Sequence, residues 1–377
     1  MLALIAMANV MIYLYDRPYG VLQHIVMTDV VDRVVTSVIV VIVDARAFPL
    51  FAALFGYGLV QLSRRLARRG YDPADVRRRL RRRWLVLLVI GLAHGALAFS
   101  GDILGWYGIL GLVMTSLLTV SDRVLLWLAA GSLPVLSFIQ GLTYADGHVQ
   151  LERSTFWSFA VDDPVYAAGL RLLEWSMTPV GLVAVIPAML VGMWAARRGV
   201  LESPGQHRSL LRRTAVIGVA AGVVGGLGLA LPIAWGQQSS GPAFVLLSWA
   251  HVFTGVMCGL GYLALIALVA GWLERVHADW AMPRSVTSLS ALGQRSMSGY
   301  LAQTVVFAAL LPAWSLGWGA TLGTAGAAAL GLIVWLFTVV VATWAAHRGR
   351  RGPAEVVLRR FAQPSPRRSA GYATIGR

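Results

Sequence analysis

The chain alternates long apolar stretches with short runs of arginine, and this pattern limits the fold more than any other feature. A stretch of about 20 apolar residues is long enough to cross a bilayer as a helix. Backbone polar groups in hydrocarbon must be satisfied within the spanning element, and no stretch shows the two-residue alternation of a membrane barrel strand. The sequence therefore predicts an all-α, polytopic integral membrane protein with about ten transmembrane helices.

The predicted spans end where charged residues, prolines or glycines interrupt the apolar stretches. They cover residues 1–15, 36–62, 84–99, 103–119, 123–141, 174–196, 214–235, 243–272, 291–312 and 319–346. We interpret residues 1–346 as a single transmembrane domain, with an N-terminal half over about 1–140 and a C-terminal half over about 174–346. Residues 347–377 are predicted to form an arginine-rich cytoplasmic tail.

The distribution of charge predicts the orientation. All 32 basic residues are arginine, and with 17 acidic residues they give a net charge of +15. If the N-terminus is cytoplasmic, 26 arginines fall in cytoplasmic loops and the tail and four in outer loops, which obeys the positive-inside rule. Both termini are therefore predicted to be cytoplasmic. Because the charge lies in short runs between spans, we predict no nucleic-acid partner.

The cysteine content excludes two classes of site. Cys258 is the single cysteine of the chain, so neither a disulfide framework nor a cysteine metal cluster can form. We predict no metal cofactor.

Polar side chains inside apolar spans cost roughly 2.5 kcal/mol or more to bury, so they are candidates for function. The first pair is Asn9, in the opening span, and His24, in the outer loop that follows. A histidine can act as a general base or accept an acyl group, and an amide can stabilise an oxyanion. The structural alternative is an amide contact between helices and a histidine that reaches water from its loop.

Two further pairs lie where the predicted helices are interrupted. Because proline disfavours helix in the residue before it, a kink or break is expected next to Pro49. Asp44 and Arg46 are two residues apart, so they do not face each other on a helix and should reach other spans, as a structural pair or in a site. His94 and Asp102 flank a tight turn, where Asp102 can cap the returning helix and a contact with His94 would form a proton relay.

The candidates for binding a phosphorylated donor complete the site prediction. Besides Arg46, they are Arg77, Arg78, Arg79, Arg295, Tyr300 and Gln303. The first three belong to a block of ten arginines between predicted spans. Contacts to a polyanionic nucleotide such as coenzyme A and attraction to anionic lipid both explain that block. Arg295 is explained equally by phosphate binding and by anchoring at the membrane boundary.

Several motifs of well-known enzyme classes are absent from the sequence. It contains no Walker loop, no GxGxxG that opens a helix after a strand, no HExxH and no GxSxG. An ATP-driven pump, a flavin enzyme and an ordinary serine hydrolase are therefore disfavoured.

Short motifs, taken in order along nearly the whole chain, resemble those of the bacterial YeiB family. The matching stretches are 48–58 (FPLFAALFGYG), 91–94 (GLAH), 101–104 (GDIL) with Tyr107, 192–197 (GMWAAR), 293–303 (GQRSMSGYLAQ), and 352–355 (GPAE) with Arg359 and Arg360. The resemblance implies a multi-pass protein of the bacterial cytoplasmic (inner) membrane. That family is in turn similar to the transmembrane acyltransferases, which include the lysosomal enzyme that acetylates the terminal glucosamine of heparan sulfate.

The resemblance also implies reactants and residue roles. The donor would be acetyl-CoA or another acyl-CoA bound from the cytosol, the acceptor would lie on the extracytoplasmic side, and many members are homodimers. Asn9 matches the Asn or His that ends the family's first helix, and His24 matches its outer-loop histidine more loosely. The family's arginine ten residues before that position would fall upstream of Met1, so the chain departs from the pattern there.

Two mechanisms and three functions remain open at this point. In direct transfer His24 deprotonates the acceptor while Asn9 stabilises the oxyanion, and in the ping-pong version His24 carries the acyl group. The predicted function is a membrane-embedded acyltransferase acting on an envelope glycan or amine, with membrane lipids as neighbours. A solute transporter or permease and a non-catalytic membrane scaffold are the alternatives, because broken helices with buried ions also suit transport.

Overall fold

The computed structural model describes residues 1–20, 24–144, 151, 153, 155–236, 241–278 and 280–362. These residues contain fourteen α-helices. The helices are α1 (Leu2–Ile12), α2 (Val30–Ile42), α3 (Ala47–Arg68), α4 (Pro73–Leu97), α5 (Ile103–Ser116), α6 (Asp122–Leu142), α7 (Pro164–Met177), α8 (Val185–Arg197), α9 (Arg208–Ala234), α10 (Pro242–Val276), α11 (Arg284–Gly293), α12 (Ser296–Leu310), α13 (Thr324–His347) and α14 (Pro353–Ala362). Within that part of the chain, one isolated β-bridge joins Tyr19 and Ile25. The all-α prediction is confirmed.

Five helical segments in the described part of the chain are long and apolar enough to cross a membrane. They are Val30–Arg68, which comprises α2 and α3, together with Asp122–Leu142, Arg208–Ala234, Pro242–Val276 and Thr324–His347. Four shorter apolar segments do not reach that length, and α4 carries six arginines in its first half. The chain therefore has the helices of a polytopic membrane protein. The predicted total of ten spans and the orientation of the termini remain predictions.

The break expected beside Pro49 is present. Helix α2 ends at Ile42 and α3 begins at Ala47, so the stretch predicted as one span over 36–62 consists of two helices. Between them Ala45 has a φ of +57°, in the left-handed region that residues other than glycine rarely adopt. The break turns the side chains of Asp44 and Arg46 towards different partners.

The span predicted over 174–196 is wrong in its extent. The structure has two helices there, α7 and α8, joined by a segment that contains Pro179. Proline lacks an N–H and disfavours helix in the preceding residue, which accounts for the interruption. The arginine block over 64–83 also differs from the predicted loop, because most of it is helical at the end of α3 and the start of α4.

The predicted cytoplasmic tail contains an ordered helix. Helix α14 packs on α4 and α12, and Leu358 and Ala362 are buried. Residues 353–362 therefore belong to the helical body, whereas residues 363–377 lie outside the described part of the chain.

Small residues bring the helices close together within the chain. A Cβ added at Gly218 would lie 2.4 Å from the carbonyl oxygen of Met257 on α10, and one added at Gly222 would lie 2.4 Å from the Cβ of Cys258. Such contacts let helix backbones approach closely in a membrane. The ridge of small residues on α9 thus packs within one chain.

Helices α4 and α5 form the hairpin that positions the candidate site. The carboxylate of Asp72 accepts from the backbone N–H of Asp75 at 2.8 Å and caps α4, and Pro73 occupies its first turn. At the other end of the hairpin Asp102 Oδ2 accepts from the backbone N–H of Gly105 at 2.7 Å, which confirms the predicted cap of α5. We call the end of the bundle that holds residues 64–83 the arginine end, and the end that holds residues 98–102 the turn end.

Candidate functional site

A cavity of about 870 Å³ enters the bundle from the arginine end. Residues of α1, α3, α4, α5, α10, α11, α12 and α14 line it. Its walls are mostly apolar, with Phe51, Leu54 and Phe55 from α3 and Trp84 and Leu87 from α4. This volume and this lining are typical of sites that hold an organic ligand rather than an ion.

Positive charge surrounds the mouth of the cavity. Arg65 and Arg69 from α3, Arg83 from α4 and Arg359 from α14 contribute to its lining. Guanidinium groups present paired N–H donors that match phosphate oxygens. The mouth is therefore suited to a ligand with a multiply charged anionic end.

One carboxylate lies among these arginines and holds α14 in place. Glu355 Oε1 accepts from the backbone N–H groups of Met297 at 2.8 Å and Ser298 at 3.1 Å, at the N-terminus of α12. The hydroxyl of Ser298 donates to the other oxygen of the carboxylate. Glu355 thus caps α12 from a different helix and fixes α14 beside the mouth.

Aromatic and aliphatic side chains close the inner end of the cavity. Ile103 and Leu104, which directly follow Asp102, line this end together with Tyr107 and Tyr300. The ring of Tyr300 lies 5.2 Å from the ring of His94, centroid to centroid. Tyr300 therefore contacts both the cavity and His94.

His94 and Asp102 form a buried hydrogen-bonded pair. His94 Nδ1 lies 2.7 Å from Asp102 Oδ1, and both residues are buried, Asp102 completely. Because an ionised carboxylate only accepts, this contact assigns the proton of a neutral His94 ring to Nδ1 and leaves a lone pair on Nε2. His94 Nε2 is buried and has no hydrogen-bond partner among the described residues. The pair has the arrangement of a general base with its orienting carboxylate.

Asn9 lies beside this pair on α1. Its side chain is close to the hydroxyl of Tyr300, although the approach does not have the geometry of a hydrogen bond. Asn9 Oδ1 and Tyr300 Oη are buried atoms without partners in the described part of the chain. Buried polar atoms are normally satisfied, and those that are not need an explanation. Asn9 Oδ1 and Tyr300 Oη thus lie close together, and the ring of Tyr300 packs against His94, whose Nε2 is a third such atom.

The structure places His24 in a different cluster. His24 Nε2 lies 2.9 Å from Asp44 Oδ2, and no hydrogen bond between described residues joins His24 to Asn9. His24 borders a separate small cavity of about 90 Å³ together with Arg33. The two residues that the family resemblance placed in one reaction centre thus belong to two His–Asp neighbourhoods.

Arg46 is fully buried beside this second cluster, between α9 and α10. Its Nη2 donates to the carbonyl oxygen of Gly222 at 2.8 Å, and its Nη1 lies 3.1 Å from Nε2 of His251. A Cβ added at Gly226 would lie 2.7 Å from Nη2, so the glycines of α9 leave the space that the guanidinium fills. Arg46 does not line the large cavity, and its contacts are those of a structural residue.

We predict that Arg46→Ala lowers the free energy of unfolding by about 3 kcal/mol, because it leaves a void and an unpaired carbonyl in the interior. Unfolding of the purified protein in mixed micelles measures this loss. Arg212→Ala, at an exposed position of the same helix that Arg46 contacts, is the matched control and should change little. Equal losses in the two variants would contradict a special role for Arg46.

The other predicted donor-binding residues differ in whether they line the cavity. Tyr300 lines it, and none of Arg77, Arg78 and Arg79 does. Arg78 pairs with Asp75, and Arg79 stacks on the ring of Tyr71 at 4.0 Å.

Arg295 and Gln303 have contacts outside the cavity. Arg295 Nε donates to the carbonyl oxygen of Arg350 at 3.1 Å and Nη1 to that of Ala291 at 3.0 Å, which favours the anchoring role. Gln303 is buried and donates to Thr338 at 3.4 Å.

The arginines that reach the cavity mouth are not among the predicted donor-binding residues. Leu62, Arg65, Leu66 and Arg69 recur at the three- and four-residue spacing of one helix face, and that spacing was the available signal. His251 was also missed, although a lone histidine in the middle of a long apolar span is itself a signal.

Two arginines hold helix ends at the turn end. Arg153 donates to the carbonyl oxygens of Met11, at 3.2 Å, and Ile12, which terminate α1. Arg171 Nε donates to the carbonyl oxygen of Ala96, near the end of α4, at 2.8 Å. Burial lowers the pKa of Arg153 to about 10, so it stays cationic at neutral pH and complements the negative end of the helix. These contacts fix the helices that carry Asn9 and His94.

Comparison with known proteins identifies relatives without a known activity. A family model described as "Protein of unknown function (DUF418)", a family of membrane proteins, matches residues 195–364. The uncharacterized protein YxaH of Bacillus subtilis (strain 168) is 24% identical over 313 residues, which are 76% of this chain and 71% of that protein. No solved structure matches the chain. The family match includes Tyr300, Glu355 and Arg359 but neither His94 nor Asp102.

Proposed function

We propose that this chain is a membrane-embedded acyltransferase that moves an acyl group, in the simplest case acetyl, from cytosolic acyl-CoA to an extracytoplasmic acceptor such as an envelope glycan or amine. One observation carries the proposal. The arginine-lined cavity ends at Tyr300, which packs against a His–Asp pair whose Nε2 has no partner. A donor with phosphates at one end and a thioester at the other matches that sequence of surfaces.

The donor fits the cavity in two parts. The phosphates would lie at Arg65, Arg69, Arg83 and Arg359, where charge-assisted hydrogen bonds are strongest. The uncharged pantetheine arm would follow the apolar wall, and the thioester would reach Tyr300. The positive-inside rule favours a cytosolic arginine end, where acyl-CoA is present, and the resemblance to the YeiB family supports the same membrane and the same chemistry.

The reaction needs one base at the inner end. His94 Nε2 takes the proton of the acceptor hydroxyl or amine as its oxygen or nitrogen attacks the thioester carbon. The carbon–sulfur bond then breaks, and His94 returns the proton to the departing thiolate, so that free coenzyme A and the acylated acceptor result. Asp102 holds the ring and stabilises its protonated form.

The negative oxygen of the intermediate needs donors. The Asn9 amide and the Tyr300 hydroxyl, which lie close together, would supply the N–H and O–H groups that stabilise it. His24 with Asp44, beside the small cavity, would then serve the acceptor side, as a site of entry or as the second base.

A solute transporter is the second candidate, and one observation favours it. The large cavity opens at the arginine end and is closed at the turn end, which is also how an inward-facing transporter looks. A transporter predicts no dependence of binding on the pantetheine thioester. Calorimetry with acetyl-CoA, coenzyme A and an adenosine nucleotide that lacks the arm separates the two candidates.

We predict that the triple variant Arg65→Ala, Arg69→Ala, Arg83→Ala binds acetyl-CoA at least about 30-fold more weakly than the unmodified protein, because each charge-assisted hydrogen bond contributes roughly 1.5–3 kcal/mol. Titration calorimetry in nanodiscs gives the dissociation constants.

Arg77→Ala, Arg78→Ala, Arg79→Ala removes the same number of charges from the same block and is the matched control. Its affinity should stay within about threefold, since these arginines lie off the cavity and their effect is screened by solvent. If the two triple variants lose affinity equally, the donor does not occupy the cavity. If the unmodified protein does not bind acetyl-CoA, the acyltransferase proposal fails.

A further inference from the structure

One tryptophan contacts the carboxylate of the His94–Asp102 pair and does not line the large cavity. Trp175, on α7, donates from Nε1 to Asp102 Oδ2 at 3.5 Å. A Cβ added at Gly95 on α4 or at Gly105 on α5 would come within 2.5 Å of its ring atoms. The indole is therefore wedged between the two helices of the hairpin, directly beside the carboxylate.

Helix α7 is fastened at the turn end by side-chain contacts to backbone oxygens. Arg171 donates to Ala96, and the hydroxyl of Thr178 donates to the carbonyl oxygen of Ser100 at 2.9 Å. The carboxylate of Glu174 accepts from the backbone N–H of Ser158 at 2.8 Å and from its hydroxyl at 2.7 Å. These few polar contacts flank Trp175 on both sides.

The outward side of α7 is apolar. It carries Val165, which is 79% exposed, together with Tyr166, Leu172 and Leu173. The inward side carries Ala167, Arg171 and Glu174, which are buried. Helix α7 is therefore held to the bundle by polar contacts of its inward side chains rather than by a broad apolar face.

We propose, on the basis of the function proposed above, that Trp175 is the barrier between the reaction centre and the extracytoplasmic side, and that an acceptor reaches His94 by displacing the indole. The barrier decides which nucleophile meets the thioester. With Trp175 in place, water is excluded and the donor is stable. When an acceptor displaces the indole, its hydroxyl or amine enters the reaction centre from the turn end.

Loss of the barrier lets water act as the acceptor. His94 Nε2 takes a proton from water as the oxygen attacks the thioester carbon, the carbon–sulfur bond breaks, and the proton passes to the thiolate. The products are the free carboxylic acid and coenzyme A. Trp175 is thus a positioning residue that acts on the partition between transfer and hydrolysis, and it takes no part in the bond changes.

The first test measures access and does not require activity. His94→Cys is made in a Cys258→Ala background, and a membrane-impermeant maleimide is added to sealed vesicles of each orientation. Adding Trp175→Ala should raise labelling from the turn-end side by roughly tenfold or more, because thiol reactivity follows exposure. Trp175→Phe, which keeps an aromatic wedge, should stay near the starting rate.

Trp318→Ala is the matched control, since this tryptophan lies between α12 and α13, and no hydrogen bond or ring contact between described residues joins it to the pair. Its labelling rate should not change. Equal labelling with Trp175 and with Trp175→Ala overturns the barrier. If Trp175→Ala does not fold, Trp175→Phe provides the test. A labelling rate in Trp175→Phe well above the starting rate also overturns the barrier.

The second test measures how the thioester is divided between acyl transfer and hydrolysis. With His94 present, Trp175→Ala should raise the ratio of acetyl-CoA hydrolysis to acyl transfer by roughly tenfold or more, with the donor KM unchanged. An unchanged ratio overturns the proposal even if both reactions occur. If labelling rises but no variant binds or hydrolyses acetyl-CoA, the barrier stands and the acyltransferase function fails.

Discussion

His94→Gln is expected to lower the rate of acyl transfer from acetyl-CoA by about a thousandfold, the range in which loss of a general base usually falls. Glutamine retains a polar group of similar reach but cannot take a proton at neutral pH. Because His94 lies behind Tyr300 and does not line the cavity, the dissociation constant for acetyl-CoA should stay within a few fold. Single-turnover kinetics together with calorimetry measure the two effects separately.

The second His–Asp pair provides the control. His24→Gln makes the same replacement beside Asp44, away from the large cavity, and is expected to lower transfer much less. Asp102→Asn should approach the effect of His94→Gln, since the amide no longer holds the proton on Nδ1. A larger loss with His24→Gln than with His94→Gln would move the reaction to the outer pair and restore the roles that the family resemblance implied.

Gly91→Ala should affect both stability and activity strongly. A Cβ at this position would lie 1.9 Å from the backbone nitrogen of Gly105 and 2.5 Å from Asp102 Oδ2, so α4 and α5 must separate. Overpacking of this kind costs about 1–3 kcal/mol. Moving His94 by about 1 Å relative to the thioester should lower the rate by roughly a hundredfold.

Gly131→Ala tests whether glycine replacement alone has such effects. Gly131 lies within α6, and nothing lies within 4 Å of the Cβ that would be added. This variant should keep full activity and unfold at the same or a higher denaturant concentration, because alanine favours helix over glycine by about 1 kcal/mol. If Gly91→Ala behaves like Gly131→Ala, the close crossing of α4 and α5 does not position the pair.

Hydropathy predicted the helical class but not every boundary. The break near Pro49 follows from local chemistry, because proline acts on its own neighbours. The division into α7 and α8 also follows from a proline, Pro179, whereas the burial of Arg171 and Glu174 depends on tertiary partners at Ala96 and Ser158. An apolar window cannot distinguish a residue with such partners from one that faces lipid.

The same distinction between local and long-range partners explains which contacts of the site could be predicted. His94 and Asp102 are eight residues apart across one turn, so their contact could be anticipated from the sequence. Asn9 and His24 are separated by a loop whose path the local sequence does not specify, and they diverge into two clusters. Arg65 and Arg83 converge on one mouth only because α3 and α4 are arranged around a common cavity.

The burial of Arg46 has a consequence for the order of assembly. Its partners Gly222 and His251 lie 176 and 205 residues further along the chain. During synthesis the guanidinium is therefore made long before these two partners, when the nearby carbonyl oxygen of Asp44 is its partner, and a cation without its full set of partners is costly in the bilayer. Helices α2 and α3 can reach their final positions only after α9 and α10 have been inserted, so this part of the bundle matures after translation of its own segment rather than with it.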